Sequence, residues 1–293
     1  MKPAPFKYYA PTSIEEALEM LAQLGYDGKI IAGGQSLIAA MNFRMAQPLA
    51  LVDLNNIQEL FFIRPANDGG VVIGTMTRAS TVEQDHIIAK KTPLIHEAMP
   101  NVAHQQIRNR GTFGGAIAHA DPAGQAPALV LALNARMRVM GKTAERWVNA
   151  QDFFVGPFSP DVSPEEMLVE VALPPLPPRS GTCYQHVARQ SGATSLVGCS
   201  TVVTLDERGN CKHAKMVLSS VGETPLVVHK AAQLLVGQPP SDEGMRAAAE
   251  LAAKEIDPGS DIHATADYRR HLAKVLVQYT LKIAFSRAAS QGG

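Results

Sequence analysis

Apolar positions Ile14, Ala17, Leu18, Leu21 and Leu24 recur at helical spacing, and the polar residues before them predict a helix opened by a Thr12–Glu15 capping box. Gly25 predicts its end. Short apolar runs at 29–32 and 49–54 predict buried strands, with a helix opening at 37–41 between them. This β–turn–α–β order predicts a small α/β subdomain over residues 1–56. A second unit, 57–176, opens on a strand at 71–75. It continues with a short helix behind a Ser80–Glu83 capping box and a helix starting at Thr92-Pro93. An Ala- and Leu-rich helix from Pro122 to Leu133 and strands at 137–140 and 167–173 complete it. Pro174, Pro175, Pro177 and Pro178 fit neither a helix nor a central strand and predict a stiff crossing. Residues 177–293 change rhythm. Strands at 196–205 and 211–220 flank the turn Asp206–Asn210, and helices follow over 226–236, 242–256 and 266–289. The chain therefore reads as α+β, ending in a domain of antiparallel strands and helices.

Bulk properties narrow the function. The 293 residues are 46% apolar, enough for more than one core. Lys plus Arg and Asp plus Glu number 27 each, so the basic excess of a nucleic-acid binder is missing. The three cysteines, Cys183, Cys199 and Cys211, are odd in number and widely spaced. That pattern argues against a disulfide framework, a zinc site or an iron–sulfur cluster held by this chain alone. The N-terminus shows no secretory h-region, and no apolar run reaches membrane-spanning length, so a soluble cytoplasmic protein is expected.

The candidate chemistry lies in two glycine pairs. Each follows an apolar run: Ile30-Ile31-Ala32-Gly33-Gly34-Gln35-Ser36-Leu37, and Ile107-Arg108-Asn109-Arg110-Gly111-Thr112-Phe113-Gly114-Gly115-Ala116-Ile117-Ala118-His119-Ala120-Asp121-Pro122. Gly-Gly admits positive φ and removes Cβ atoms that would hold a ligand off. Successive amides in such turns can converge on an anion. Either turn alone is also ordinary strand–helix punctuation. Together they suggest a clamp for a diphosphate. Neither carries GxGxxG or GxxxxGK[ST], so a Rossmann or P-loop site is not supported. No GxSxG occurs, and His119 with Asp121 supplies too few ligands for a metal, so no catalytic or metal-binding residue is assigned.

With these motifs in view, the chain resembles the FAD-binding medium subunit of the molybdenum hydroxylases, the xanthine dehydrogenase and carbon monoxide dehydrogenase family. The likeness extends to Phe6-Lys7-Tyr8-Tyr9-Ala10-Pro11-Thr12-Ser13-Ile14-Glu15-Glu16-Ala17, Val52-Asp53-Leu54 and Gly74-Thr75-Met76-Thr77. It implies a vanillyl-alcohol-oxidase-type (PCMH-like) FAD fold of two α/β subdomains plus a C-terminal domain. It implies that Ala32, Gly33, Gly34, Gln35, Ser36 and Leu37 wrap the FAD diphosphate and ribityl chain. Thr112, Gly114, Gly115, Ala118 and Asp121 would grip the other side, with further contacts from Ile31, Thr75 and Ile107. Asp121 could instead cap the helix begun by Pro122, and Leu168, beside the adenine end in relatives, could be a plain core leucine. His186 stands where relatives carry Lys or Arg near the flavin ring. Thr194 stands where they often carry an aromatic residue over it, which suggests a more open flavin face here.

The resemblance implies electron transfer through FAD as this chain's role. A large subunit would hold molybdopterin and a small subunit two [2Fe–2S] clusters, in a dimer of heterotrimers. A self-contained FAD-dependent oxidase or reductase, or a nucleotide-holding scaffold subunit, are the alternatives.

Overall fold

The structure, a computed structural model, describes residues 2–291. Its first sheet is parallel. Ala50–Asp53 lies at the centre, between Lys7–Tyr9 and Gly28–Ile31. Helix Ile14–Leu24 covers that sheet with Ala17, Leu18 and Leu21. Its cap forms one residue later than expected. Ser13, in extended backbone, accepts from the Glu16 amide at 3.1 Å, and the Glu16 carboxylate accepts from the Thr12 amide at 2.8 Å.

The second sheet is antiparallel throughout, in the order Ile63–Pro65, Val71–Gly74, Met167–Leu173, Arg136–Met140, Glu145–Asn149. Met167–Leu173 is buried on both faces, and Glu170 alone interrupts its apolar run. A bulge between Leu168 and Glu170 reverses its alternation. Met167 and Val169 therefore face the first subdomain's core, whereas Leu168, Val171 and Leu173 face the second's.

Two local expectations fail and one unpredicted helix forms, each for an identifiable reason. The Ser80–Glu83 box does not form, because the helix starts at Ala79, behind an Arg78–Thr112 bridge. Asp85 caps an unexpected helix, His86–Lys91, by accepting from the Ile87 and Ile88 amides. The helix expected from Pro122 starts at Gln125, because Asp121 Oδ1 accepts from the Ala123 amide and holds residues 121–124 in a turn.

The third sheet, also antiparallel, runs Ser180–Ala188, Ser195–Leu205, Cys211–Ser219, Leu226–Val227. Ser180–Ala188 escaped the sequence reading because its polar residues break any apolar period. Leu226–Val227 is strand, and the helix expected there starts at His229. One face of this sheet packs on helices His229–Leu235 and Ala266–Ser290, and Asp242–Glu255 packs against those two helices. The other meets helices Gln125–Ala132 and Pro93–Ala98 of the second unit. Gln125–Ala132, buried at every position, is apolar all round for that reason.

Polar clasps join these units. Arg287 donates to both Glu97 carboxylate oxygens at 2.7 and 3.1 Å and to the Thr182 carbonyl at 2.6 Å. Lys215 Nζ donates to the Leu131 carbonyl at 2.5 Å and to Asn134 Oδ1 at 2.6 Å. Among the described residues no helix is long and apolar enough to cross a membrane.

Candidate functional site

The first glycine turn leaves the carboxyl end of a parallel strand at Ile31 and runs into helix Leu37–Asn42, the crevice where open α/β sheets bind ligands. Gly34 takes φ +74°, a left-handed conformation that explains glycine there. The amides of Gly33, Gly34, Gln35, Ser36 and Leu37 donate to no acceptor among the described residues, and neither does the Ser36 hydroxyl. All five residues are at least partly exposed. Two side-chain amides hold the carbonyls of this loop. Asn55 Nδ2 donates to Ala32 O at 2.8 Å and Gln35 Nε2 to Gly33 O at 3.0 Å. A planar trans peptide points its C=O and N–H in opposite directions, so the Gly33 and Gly34 amides aim away from those contacts. Five consecutive donors are thus left without a partner in the protein, as backbone nests that take anions require.

The second glycine turn plays a different part. Its amides are already engaged: Phe113 donates to Thr77 O at 2.9 Å, Gly114 to Thr75 O at 3.0 Å and Gly115 to Thr112 Oγ1 at 3.0 Å. Its glycines permit chain to touch chain. A Cβ on Gly33 would overlap the Arg110 carbonyl oxygen and lie 2.7 Å from Gly111 Cα. A Cβ on Gly114 would overlap Thr75 Oγ1 and lie 2.6 Å from Thr75 Cα. This corrects the expectation that both pairs are bare to clear room for a ligand. At Gly33 and Gly114 that room holds protein.

The two turns and Thr75 thus pack directly against one another. Ile107 is 37% exposed beside them, and Ala118 is half-buried on helix Phe113–His119. Asp121 ends this segment with Oδ1 engaged by Ala123. Leu168, 5% exposed, lies inside the second unit's core. The third sheet docks nearby, where the Ser220 amide donates to Pro122 O at 3.0 Å and Ser220 Oγ to Ser195 O at 2.7 Å. His186 pairs with Gly198, which pairs in turn with Ser219, so His186 belongs to this corner. Its Nδ1 is buried with no hydrogen-bond partner. Thr194 is exposed.

Three side chains that hold the turns, Arg108, Arg78 and Asn55, were given no role by the sequence reading. Arg108, 8% exposed, donates to both Glu83 carboxylate oxygens at 2.7 and 3.3 Å, to the Val102 and Ala103 carbonyls and to Gln105 Oε1. It shapes the segment leading into the second turn. Arg78 and Asn55 link the two turns. The arginines of Ile107-Arg108-Asn109-Arg110 were the available signal. Arg78 makes no direct ion pair among the described residues; its guanidinium donates to Arg110 O and Asn55 Oδ1, within the field of the Asp53 carboxylate. Burial, and then Arg110, lower the Arg78 pKa from its ordinary value. Free amides and a free hydroxyl suit a diphosphate.

Two cavities lie apart from the turns themselves, of about 190 Å³ and 170 Å³. Both fall below the roughly 300 Å³ of a small-molecule pocket.

Burial also lowers the pKa values of His119, His186 and His213. The unfolded chain therefore takes up protons first as pH falls through about 6.5, and stability contributed above that pH is lost below it. Melting temperature is expected to fall between pH 7 and pH 5, and His213→Gln to flatten that decline. An unchanged slope in His213→Gln would contradict this assignment.

Residues 4–176 match the family model described as the FAD binding domain in molybdopterin dehydrogenase, and residues 182–284 match the CO dehydrogenase flavoprotein C-terminal domain. The chain is 38% identical to the 6-hydroxypseudooxynicotine dehydrogenase complex subunit alpha of Paenarthrobacter nicotinovorans, covering 98% of this chain and 97% of that protein. It is 36% identical to the carbon monoxide dehydrogenase medium chain of Hydrogenophaga pseudoflava, over 99% of this chain and 100% of the relative. A solved structure of carbon monoxide dehydrogenase from that organism superposes with TM-score 0.95 at 36% identity, covering 98% of this chain and 99% of that one. Quinoline 2-oxidoreductase from Pseudomonas putida 86 superposes with TM-score 0.92 at 35% identity, covering 100% of both chains. The fold is thus a PCMH-like FAD-binding unit followed by a C-terminal α+β domain. The chain belongs to the family of FAD-binding medium subunits of the molybdenum hydroxylases, and its work is electron transfer through FAD.

Proposed function

We propose that the free amides of Gly33, Gly34, Gln35, Ser36 and Leu37, with the Ser36 hydroxyl, hold the FAD diphosphate. The run of five unengaged donors with a free Ser36 hydroxyl carries this reading. Ile31 and Ala32 bring the chain to that loop. Thr75, Ile107, Thr112, Gly114, Gly115 and Ala118 form the wall on the other side. Asp121 keeps Oδ2 free to accept from a ribityl or ribose hydroxyl, since Oδ1 is engaged. Leu168 backs the adenine end from within the core. His186, held neutral at physiological pH by burial, adds no charge beside the ring. When bound, FAD supplies a redox carrier, while the protein sets its orientation and electrostatics.

In this reading the chain relays electrons from two [2Fe–2S] clusters of a small subunit to an external acceptor. A large subunit holds the molybdopterin cofactor, and the assembly is a dimer of heterotrimers in the cytoplasm. Support comes from a relative named as a complex subunit and others named as medium chains. Three buried free thiols fit a reducing compartment.

Purification of the native assembly tests this. We expect one FAD per chain, absorbance that bleaches with reductant and returns with oxidant, and co-purifying subunits bearing molybdenum and iron. A folded preparation that stays colourless with excess FAD would refute the reading.

A further inference from the structure

We propose that Arg78 and Asn55 form a bridge that sets the two glycine turns in register, making Arg78 a positioning residue for FAD. This role rests on the flavin reading above. The bridge crosses four separate segments of chain. Arg78 Nη1 donates to Arg110 O at 2.7 Å, and Nη2 donates to Asn55 Oδ1 at 2.5 Å. Asn55 Nδ2 then donates to Ala32 O at 2.8 Å. One guanidinium thus connects a carbonyl of the second turn with a carbonyl of the first.

Three features make this more than packing. The bridged carbonyls lie where the turns touch, since Gly33 abuts Arg110 O and Gly111 Cα. Holding Ala32 O behind the loop aims the Gly33 amide the other way, because the peptide is planar and trans. The bridge therefore fixes the direction of the first donor in the nest. The guanidinium itself is held on both sides. The Arg78–Thr112 bridge sets its backbone, and the Phe61 ring lies 5.4 Å from its Cζ. Asn55 is fixed as well, since Asp53 Oδ1 accepts from its amide at 2.9 Å and from Nδ2 at 2.5 Å. Only a planar two-pronged donor reaches both partners, so lysine cannot substitute.

The test uses the full-length chain in its native assembly, stripped of flavin and titrated with FAD. Arg78→Ala and Asn55→Ala are each expected to weaken FAD binding about tenfold, the loss of one charge-assisted hydrogen bond. The melting temperature of the flavin-free protein should shift little. The double variant should bind no more weakly than the weaker single variant, because both changes cut one relay. Arg78→Lys should not restore affinity, and visible circular dichroism of the bound flavin should change in all variants. Wild-type affinity in Arg78→Ala or Asn55→Ala, additive losses in the double variant, or full rescue by Arg78→Lys would overturn the bridge. Should Arg78→Ala not fold, Asn55→Ala and Arg78→Lys decide by the same criteria. Failure of the unaltered chain to bind FAD would overturn the flavin reading instead.

Discussion

Gly114→Val is expected to leave no folded, flavin-loaded chain. The new Cβ would overlap Thr75 Oγ1 and lie 2.6 Å from Thr75 Cα. Thr75 cannot yield easily. Its amide donates to Val169 O at 3.0 Å, its carbonyl accepts from Gly114 at 3.0 Å, and its side chain is buried. One extra methylene in a packed core costs about 1–3 kcal/mol. Here the branched side chain meets backbone between two anchored segments, so the cost should exceed that range. Thermal melting and the flavin-to-protein ratio measure both losses. Gly34→Val forms the contrast. Its φ of +74° imposes strain of roughly 1–2 kcal/mol. Its Cβ, however, would meet only flexible Ile38 and Ile31 side-chain atoms at 3.2 and 3.3 Å. That variant should fold and lose FAD. Wild-type melting in Gly114→Val would contradict the packing described here.

Arg108→Ala is expected to cost about 3–5 kcal/mol, the usual consequence of breaking a buried ion pair. Glu83, whose side chain is 17% exposed, would keep its charge without a partner, and the Val102 and Ala103 carbonyls would lose their donor. Residues 102–108 would loosen and release the second turn from the first. Chemical denaturation should show the stability loss, with FAD affinity falling alongside. A loss below about 1 kcal/mol, the scale of an exposed pair, would show that Arg108 is solvated rather than structural.

Much of the architecture can be read from apolar periodicity because burial enforces it. Met167–Leu173 is apolar at every position but Glu170 and is buried on both faces. Ala266–Ser290 is long and cleanly capped by Thr265, which accepts from the Tyr268 amide. Ser180–Ala188 is concealed by its own polarity, although its ladder partner is the next strand, Ser195–Leu205. Capping boxes misled where tertiary contacts chose the helix start, as the Arg78–Thr112 bridge did. The glycine pairs were visible as motifs, but not their division of labour. Which amides stay free depends on partners such as Thr75 and Thr77, more than thirty residues away. Arg78 and Asn55 gave no pattern, because a bridge between four segments has no period.

Hydrogen–deuterium exchange with and without FAD tests the central claim most directly. Amides 33–37 should exchange quickly in the flavin-free chain and become protected when FAD binds. Amides 113–115, already bonded within the protein, should change little. No protection at 33–37, with FAD demonstrably bound, would contradict the account.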